Sequence, residues 1–327
     1  MPILDLYLAF CLTIMGFVVG ILSGFLGFGG GFILTPFLLS LGVPANIAVG
    51  TNVMQIFMSS AVAALRHRHL GNVDLKLSSI IAVGSIFGAE LGAQAIEYFE
   101  KINVQHLNTL ISLIYIAILT FTSAYMIYEA SKPRNKKFST GRGLSVSKVF
   151  NLKIPPMITL SQPNIAPKSL WAMILLGLFT GLFSGFLGAG GGFILVPSLI
   201  YLIGCKPAVA AGTSIFEIFL SCMFASASHA IKGNVDASLA ILMFVGSFVG
   251  LQIGILATKY VKEKNFKIAF GLCLGFTSLS VILKMAAWAS KTDVLYSLSQ
   301  TIIFMATFLT ALLIIVLTLQ AKYQVRS

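Results

Sequence analysis

The chain has 327 residues, of which 57% are hydrophobic and only 10% are charged, and its mean hydropathy is +0.95. These values exclude an ordinary soluble globular protein, and apolar stretches that recur along the whole chain exclude a single cleaved signal peptide. The stretches are continuous and do not alternate, which excludes a β-barrel. The net charge of +12 lies mostly in one loop. We therefore expect a helical bundle in the lipid bilayer, with no nucleic-acid partner.

The apolar blocks predict the membrane spans in chain order. The block at residues 6–41 is too long for one span and too short for two, so it predicts one helix followed by a half-crossing segment. Full spans are expected at residues 46–65, 73–99 and 103–130. The second half repeats this plan, with a broken block at 170–203 and spans at 208–231, 235–260 and 265–287. An additional helix at 294–319 has no counterpart in the first half.

Two glycine-rich segments show that the chain contains an internal duplication. "SGFLGFGGGFILTPFL" begins at Ser23 and "SGFLGAGGGFILVPSL" at Ser184, an offset of 161 residues. Thr51 matches Thr213 at an offset of 162, so one residue is inserted between Pro197 and Thr213. The predicted units are a first repeat at 1–130, a basic linker at 131–168, a second repeat at 169–290 and an added helix and tail at 291–327.

Charge distribution predicts the orientation of the two repeats. The positive-inside rule places the basic linker and the C-terminus in the cytoplasm and the N-terminus outside. Counting spans from these points puts the "GNVD" turn at residues 71–74 inside and the equivalent turn at 233–236 outside. Equivalent turns on opposite sides mean that the repeats have inverted topology.

The glycine runs interrupt the apolar blocks at membrane depth. Irregular backbone exposed to hydrocarbon costs several kcal/mol for each unpaired group, so these loops must be internal. A helix that restarts after Gly31 or Gly192 points unpaired N–H groups inward, and such a helix start favours an anion. Two re-entrant segments that meet near the midplane are typical of secondary transporters. The alternative is that the glycines only permit close helix packing.

The same motif order in both halves carries a family resemblance. "SGFLGFGGGFILTP" with "AVGTN", and "SGFLGAGGGFILVP" with "AAGTS", resemble the TauE/SafE sulfite exporter family, also called the 4-toluene sulfonate uptake permeases. The resemblance extends over roughly residues 16–287. It implies a carrier in the cell inner (plasma) membrane for sulfite, organosulfonates or related small anions.

Hydroxyl, amide and glycine positions near the two loops form the candidate substrate site. They can donate hydrogen bonds to an oxyanion without adding net charge; bonding between helices is the alternative role. The candidates are Ser23, Gly29, Gly30, Gly31, Thr51, Asn52, Ser184, Gly190, Gly191, Gly192, Thr213 and Ser214.

Two acids inside predicted spans are candidates for proton coupling. Glu90 and Glu217 have amides as repeat mates, Gln252 and Gln55 respectively. A charge at membrane depth costs about 2.5 to 3.5 kcal/mol on insertion scales, so a functional role is the default interpretation. Protonation of such a carboxyl removes its repulsion with a bound anion. A purely structural, hydrogen-bonded acid is the alternative.

Further candidates lie next to the "GNVD" turns. His67 and His229 correspond to each other and are candidate pH-sensitive gates, and Arg66 can reach an anion at the cytoplasmic mouth. The alternative is that the histidines are interfacial, beside Asn and Asp residues that cap the next helix.

Other function classes are less consistent with the sequence. An anion channel with the same site stays open as an alternative. An intramembrane enzyme is disfavoured because no GxSxG or HExxH motif occurs. No cofactor or metal site is indicated. The unmatched last helix leaves open a homodimer interface.

Overall fold

The computed structural model describes residues 6–102, 104–132, 154–160, 166–187, 190–290 and 292–326. The described helices are α1 (Leu6–Leu26), α2 (Gly31–Ser40), α3 (Ala45–His69), α4 (Leu75–Ile102), α5 (Val104–Ser131), α6 (Leu170–Leu187), α7 (Gly192–Ser198), α8 (Pro207–Ile231), α9 (Ala237–Tyr260), α10 (Glu263–Ser290) and α11 (Asp293–Arg326). A short antiparallel ribbon pairs β1 (Met157–Ile158) with β2 (Lys168–Ser169). Most of the predicted basic linker lies outside the described residues.

The helices confirm a polytopic membrane protein. Within the described ranges, eight helices are long and apolar enough to cross a bilayer: α1, α3, α4, α5, α8, α9, α10 and α11. Shorter apolar helices occupy the two broken blocks, where α1 ends at Leu26 and α2 begins at Gly31. The sequence therefore predicted the break in the first block within a few residues.

Glycines bring two pairs of helices into direct backbone contact. Along α1, a Cβ added at any of three glycines would collide with or crowd the backbone of α9: Gly16 at Met243, Gly20 at Ser247 and Gly24 at Leu251. Along α4 and α6 the same occurs at Gly84, Gly88, Gly177, Gly181 and Gly185. Small residues at every fourth position let helix backbones approach closely in a membrane. In each pair, residues later in one helix contact residues later in the other helix, so the two helices of each pair run parallel.

Contacts between the other helices fix their relative directions. Gly50 near the start of α3 packs against His229 at the end of α8, and Phe57 stacks on Phe219 with 5.7 Å between ring centroids, so α3 and α8 are antiparallel. Hydrogen bonds show that α3 runs parallel to α9 and α8 parallel to α4. Helices α1, α3 and α9 therefore run one way, and α4, α6 and α8 run the other way.

The inserted residue of the second half takes the form of a π-helical segment. Leu199–Ile203, which follows α7 directly, has π geometry, and Gly204 ends it with a φ of 92°. A π-bulge accommodates one extra residue in a helix without breaking it. Within the segment, the ring of Tyr201 packs edge-on against Tyr125, with 4.7 Å between centroids, and lies 5.3 Å from the amine of Lys267.

Basic residues gather at one end of the bundle. Asn72, after α3, donates to Thr258 near the end of α9 at 3.4 Å, and Glu129 near the end of α5 pairs with Lys267 in α10 at 3.2 Å. These contacts bring together the segments that carry Arg66, Arg68, Lys76, Lys132, Lys259, Lys262, Lys264 and Lys267. The clusters expected in the cytoplasm thus share one end, and the membrane side that this end faces stays a prediction.

Replacing Gly177 in α6 with alanine tests the glycine contacts. The new Cβ would collide with the carbonyl oxygen of Ile81 in α4. We expect Gly177→Ala to lower the free energy of unfolding by about 1–3 kcal/mol, the usual cost of overpacking. Thermal unfolding of the detergent-purified protein measures it. The control is Leu175→Ala at an exposed position of the same helix; equal losses in the two variants would contradict the interpretation.

Candidate functional site

Two glycine loops meet inside the bundle. The first joins α1 to α2, and three of its glycines have positive φ angles: Gly27 (82°), Gly29 (81°) and Gly30 (87°). Residues with a Cβ rarely adopt this conformation, so the loop depends on glycine. At Gly192, where α7 begins directly after the second loop, a Cβ would collide with the backbone of Phe28 and of Gly27, and a Cβ on Gly190 in the loop would lie 3.6 Å from the carbonyl oxygen of Phe28. The two loops therefore contact each other through their backbones.

The glycines predicted for the site all lie at this contact or beside it. They are Gly29, Gly30 and Gly31 in the first half and Gly190, Gly191 and Gly192 in the second. Next to Gly29, the side chains of Ile56 in α3 and Ile218 in α8 close the space, each 3.4 Å from where a Cβ would stand. The loops thus pack against the crossing of α3 and α8.

The candidate side chains Asn52 and Ser214 carry buried polar atoms. Asn52 Nδ2 donates to the carbonyl oxygen of Gly31 at 3.2 Å and to Thr35 Oγ1 at 2.8 Å, which ties α3 to α2. Asn52 Oδ1 and Ser214 Oγ are buried and have no hydrogen-bond partner within the described ranges. Buried polar groups are normally paired, so these two atoms are exceptions within the described ranges.

Ser23 and Ser184 precede the two loops on α1 and α6. Ser23 is buried, and its carbonyl oxygen accepts a hydrogen bond of 2.9 Å from Gly27 N as the helix ends. Ser184 is half-buried. Ser184 also lies beside its loop, because a Cβ on Gly191 would stand 3.5 Å from Ser184 Cβ.

Thr51 and Thr213 hold the turns of the opposite half. Thr51 Oγ1 accepts a hydrogen bond of 2.9 Å from the backbone N of Asp236, and Thr213 Oγ1 accepts one of 3.1 Å from that of Asp74. The glycine before each threonine permits the approach, because a Cβ there would collide with the carbonyl oxygen of Asn234 or Asn72. The "GT" pairs therefore serve as reciprocal clasps between the two halves.

Gln55 and Glu217 each form a polar triad with two serines. Gln55 Nε2 in α3 donates to Ser59 Oγ at 2.7 Å and to Ser247 Oγ of α9 at 2.9 Å. Glu217 Oε1 in α8 accepts a bond of 2.6 Å from Ser221 Oγ. Ser221 Oγ lies 3.4 Å from Ser85 Oγ of α4. Five of the six side chains are buried and Ser221 is half-buried. Each triad links α3 or α8 to a neighbouring helix.

The other acid and its amide mate, Glu90 and Gln252, do not take part in either triad. Glu90 is exposed on the outer face of α4, where it accepts a bond of 3.0 Å from Gln94 Nε2. Its mate Gln252 is half-buried in α9, and Gln252 Oε1 has no partner within the described ranges. The two acids that looked equivalent in the sequence therefore have different surroundings.

The two histidines also differ from each other. His67 is fully buried, and its Nε2 lies 3.0 Å from the carbonyl oxygen of Gly24, so Nε2 is the donor. His229 is half-buried, while Arg66 is exposed at the end of α3. The turns also contain the helix caps that their sequences predict: Asp74 Oδ1 accepts from Leu77 N at 3.1 Å, and Asp236 caps α9 in the same way.

Four serines of the triads were not among the sequence candidates: Ser59, Ser85, Ser221 and Ser247. A usable signal was present, because Ser59 matches Ser221 and Ser85 matches Ser247 at the same offset of 162 residues. Serines in apolar helices are common, and only their agreement between the halves distinguishes these four.

The clasps predict the effect of two substitutions at Thr51. Thr51→Val keeps the shape but removes the acceptor for the Asp236 N–H, and we expect a loss of about 1–3 kcal/mol in the free energy of unfolding. Thr51→Ser restores the acceptor and most of the stability. Chemical unfolding in detergent measures both, and equal losses in the two variants would show that the hydroxyl does not hold the turn.

The chain as a whole is similar to a known protein family. The family model described as "Sulfite exporter TauE/SafE" matches residues 12–281. No solved structure matches the chain.

Curated relatives are similar over most of their length. The "Probable membrane transporter protein YunE" of Bacillus subtilis is 25% identical over 272 residues, which cover 80% of this chain and 93% of that protein. The "Probable membrane transporter protein MJ0441" of Methanocaldococcus jannaschii is 26% identical over 287 residues, which cover 83% and 94%. The described residues contain eight helices long and apolar enough to cross a bilayer, and the family model matches most of the chain. The chain therefore belongs to the sulfite exporter TauE/SafE family of membrane transporters.

Proposed function

We propose that the protein is a proton-linked secondary transporter of small sulfur-containing anions, such as sulfite or an organosulfonate. The observation that carries the proposal is the backbone contact between the two glycine loops. In many secondary transporters, discontinuous helices that meet inside the membrane form the substrate site. The description of the family supplies sulfite as the first anion to test.

The proposed mechanism is alternating access by two inverted repeats, at residues 1–130 and 169–290, with re-entrant glycine segments near the midplane. The directions of the helices support it: α1, α3 and α4 each run opposite to their repeat mates α6, α8 and α9. In such an arrangement, a motion that opens the site to one side closes it to the other. The basic end would face the cytoplasm of a cell bounded by the plasma membrane, with the N-terminus outside.

The proposed substrate contacts are the free polar atoms of Asn52 and Ser214, together with Ser23, Ser184 and the loop glycines. Asn52 already binds the first residue of α2, so a ligand at the loops would lie within its reach. Thr51 and Thr213 act through the turns that they hold. His67, His229 and Arg66 border those turns and are proposed to respond to their opening.

Glu217 is the proposed proton carrier. Its side chain is buried on α8. The next residue of α8, Ile218, packs against Gly29 of the first glycine loop. A neutral carboxyl there tolerates an anion nearby, whereas an ionised one repels it, so anion and proton would bind together. Glu90 lies on the outer surface and is not part of the proposed site.

Uptake of radiolabelled sulfite into proteoliposomes, with and without an imposed pH gradient, tests the function. We expect saturable, gradient-dependent flux that preloaded unlabelled sulfite accelerates, since a carrier exchanges its substrate. Glu217→Gln should abolish the response to the gradient, and the matched control Glu90→Gln should retain it. Flux that preloading does not accelerate would favour a channel, and absence of sulfite flux or competition would remove the proposed substrate class.

Labelling of the two "GNVD" turns tests the inverted topology. Leu70 and Lys232 are exposed mates just before these turns, and each can be replaced by cysteine. In right-side-out vesicles, a membrane-impermeant maleimide should label Lys232→Cys directly and Leu70→Cys only after permeabilisation. The parent protein, whose own cysteines are buried or half-buried, is the control. Labelling of both positions from the same side would refute inverted repeats.

A further inference from the structure

The two polar triads are repeat mates that differ at one chemical group. Gln55 and Ser59 of α3 match Glu217 and Ser221 of α8, and Ser247 of α9 matches Ser85 of α4. One triad is built on an amide and the other on an acid. The amide triad therefore serves as an internal reference for the acid triad.

The amide triad is a closed ring of hydrogen bonds. The Gln55 amide donates at 2.7 Å to Ser59 and at 2.9 Å to Ser247, and the two serine oxygens are 2.8 Å apart. An amide NH₂ supplies two hydrogens at every pH, so both serines receive a bond and can still bond to each other. The ring ties α3 to α9 permanently.

The acid triad is open on one side. Ser221 donates to Glu217 at 2.6 Å, but Ser221 and Ser85 are 3.4 Å apart, at the limit for a hydrogen bond. An ionised carboxylate has no hydrogen to give and accepts those of nearby hydroxyl groups. When both serine hydrogens point to the carboxylate, none remains for a bond between the serines.

We propose that protonation of Glu217 closes this triad and works as a latch that ties α8 to α4. A proton from water forms an O–H bond at the carboxylate, whose charge goes from −1 to 0. The acid then donates to one serine, the serines bond to each other, and the second serine donates to the other carboxyl oxygen. Ser85 and Ser221 are positioning residues in this scheme, which rests on the proposed role of Glu217 as proton carrier.

The side chains around Glu217 do not include another charged group within the described ranges, so the latch depends on the protonation of Glu217 itself. On α8 the neighbouring titratable group is the Cys222 thiol, and α4 presents Ser85. Ile56, Phe57 and Gly29, from α3 and the first glycine loop, lie against the next residues of α8, Ile218 and Phe219. Within the described ranges, no charged side chain from these packed elements faces the carboxyl. Because α4 is joined along its glycines to α6, which leads into the second loop, closing the latch also acts on that loop.

Infrared difference spectroscopy of the protein in proteoliposomes, without substrate, tests the latch. Lowering the pH should produce a carboxylic-acid C=O band that is absent in Glu217→Gln. Ser85→Ala and Ser221→Ala should move this band to higher frequency, because its hydrogen bond is weakened, and should displace its pH midpoint by about half a unit or more. The matched controls Ser59→Ala and Ser247→Ala should leave the frequency and midpoint of the band unchanged. Ser85→Thr should restore both.

The outcomes separate the latch from the transport proposal. The latch is overturned if the Glu217 band keeps its frequency and pH midpoint in Ser85→Ala and Ser221→Ala, or if the band is absent at every pH. This holds even if sulfite flux depends on the pH gradient. A band that responds to both serines supports the latch even if flux is unaffected by Glu217→Gln, in which case the coupling role of Glu217 falls. Gln55→Glu should add a second pH-dependent band; its absence would show that the two triads are not equivalent and would also count against the latch.

Discussion

Direct contact between helix backbones is the interaction on which this fold depends. Inside a bilayer, helices gain little by hiding apolar side chains, so close van der Waals packing must hold them together. Glycines at every fourth position provide that packing between α1 and α9 and between α4 and α6. Each pair takes one helix from either half of the chain. Neither half can therefore pack its first helix without the other, and the duplication builds one interlocked bundle.

Much of this arrangement could be predicted from the repeated motifs, but the use of individual side chains could not. The break at the glycine runs and the caps at the turns follow from local sequence. The Thr51 hydroxyl was expected to face a substrate, yet it binds a backbone N–H that is 185 residues away in the chain. No local pattern specifies such a partner. The "GT" pairs therefore join the two halves of the chain, and their contact with a substrate stays a prediction.

The two acids show how the rotation of a helix decides which of its residues are buried. Hydropathy treats Glu90 and Glu217 alike, since both interrupt apolar helices. The glycines of α4 that contact α6 include Gly88, and a residue two positions later points about 200° away around the helix. Glu90 is therefore exposed because Gly84 and Gly88 are buried. This information was present in the spacing of the glycines, whereas the serines around Glu217 become recognisable only when the halves are aligned.

The π-helical segment Leu199–Ile203 gives the second half of the chain packing contacts that differ from those of the first half. Tyr201 of this segment packs on Tyr125 and beside Lys267. The two residues that can match it in the first half, Leu39 and Ser40, are both exposed. In the first half, Phe37 of α2 packs edge-on against Phe304 of α11, with 5.7 Å between ring centroids, so the two halves are held by different aromatic contacts. In the proposed alternating-access cycle, the two end states would then differ in energy. In that proposed cycle, one inserted residue would bias which side the empty protein faces at rest.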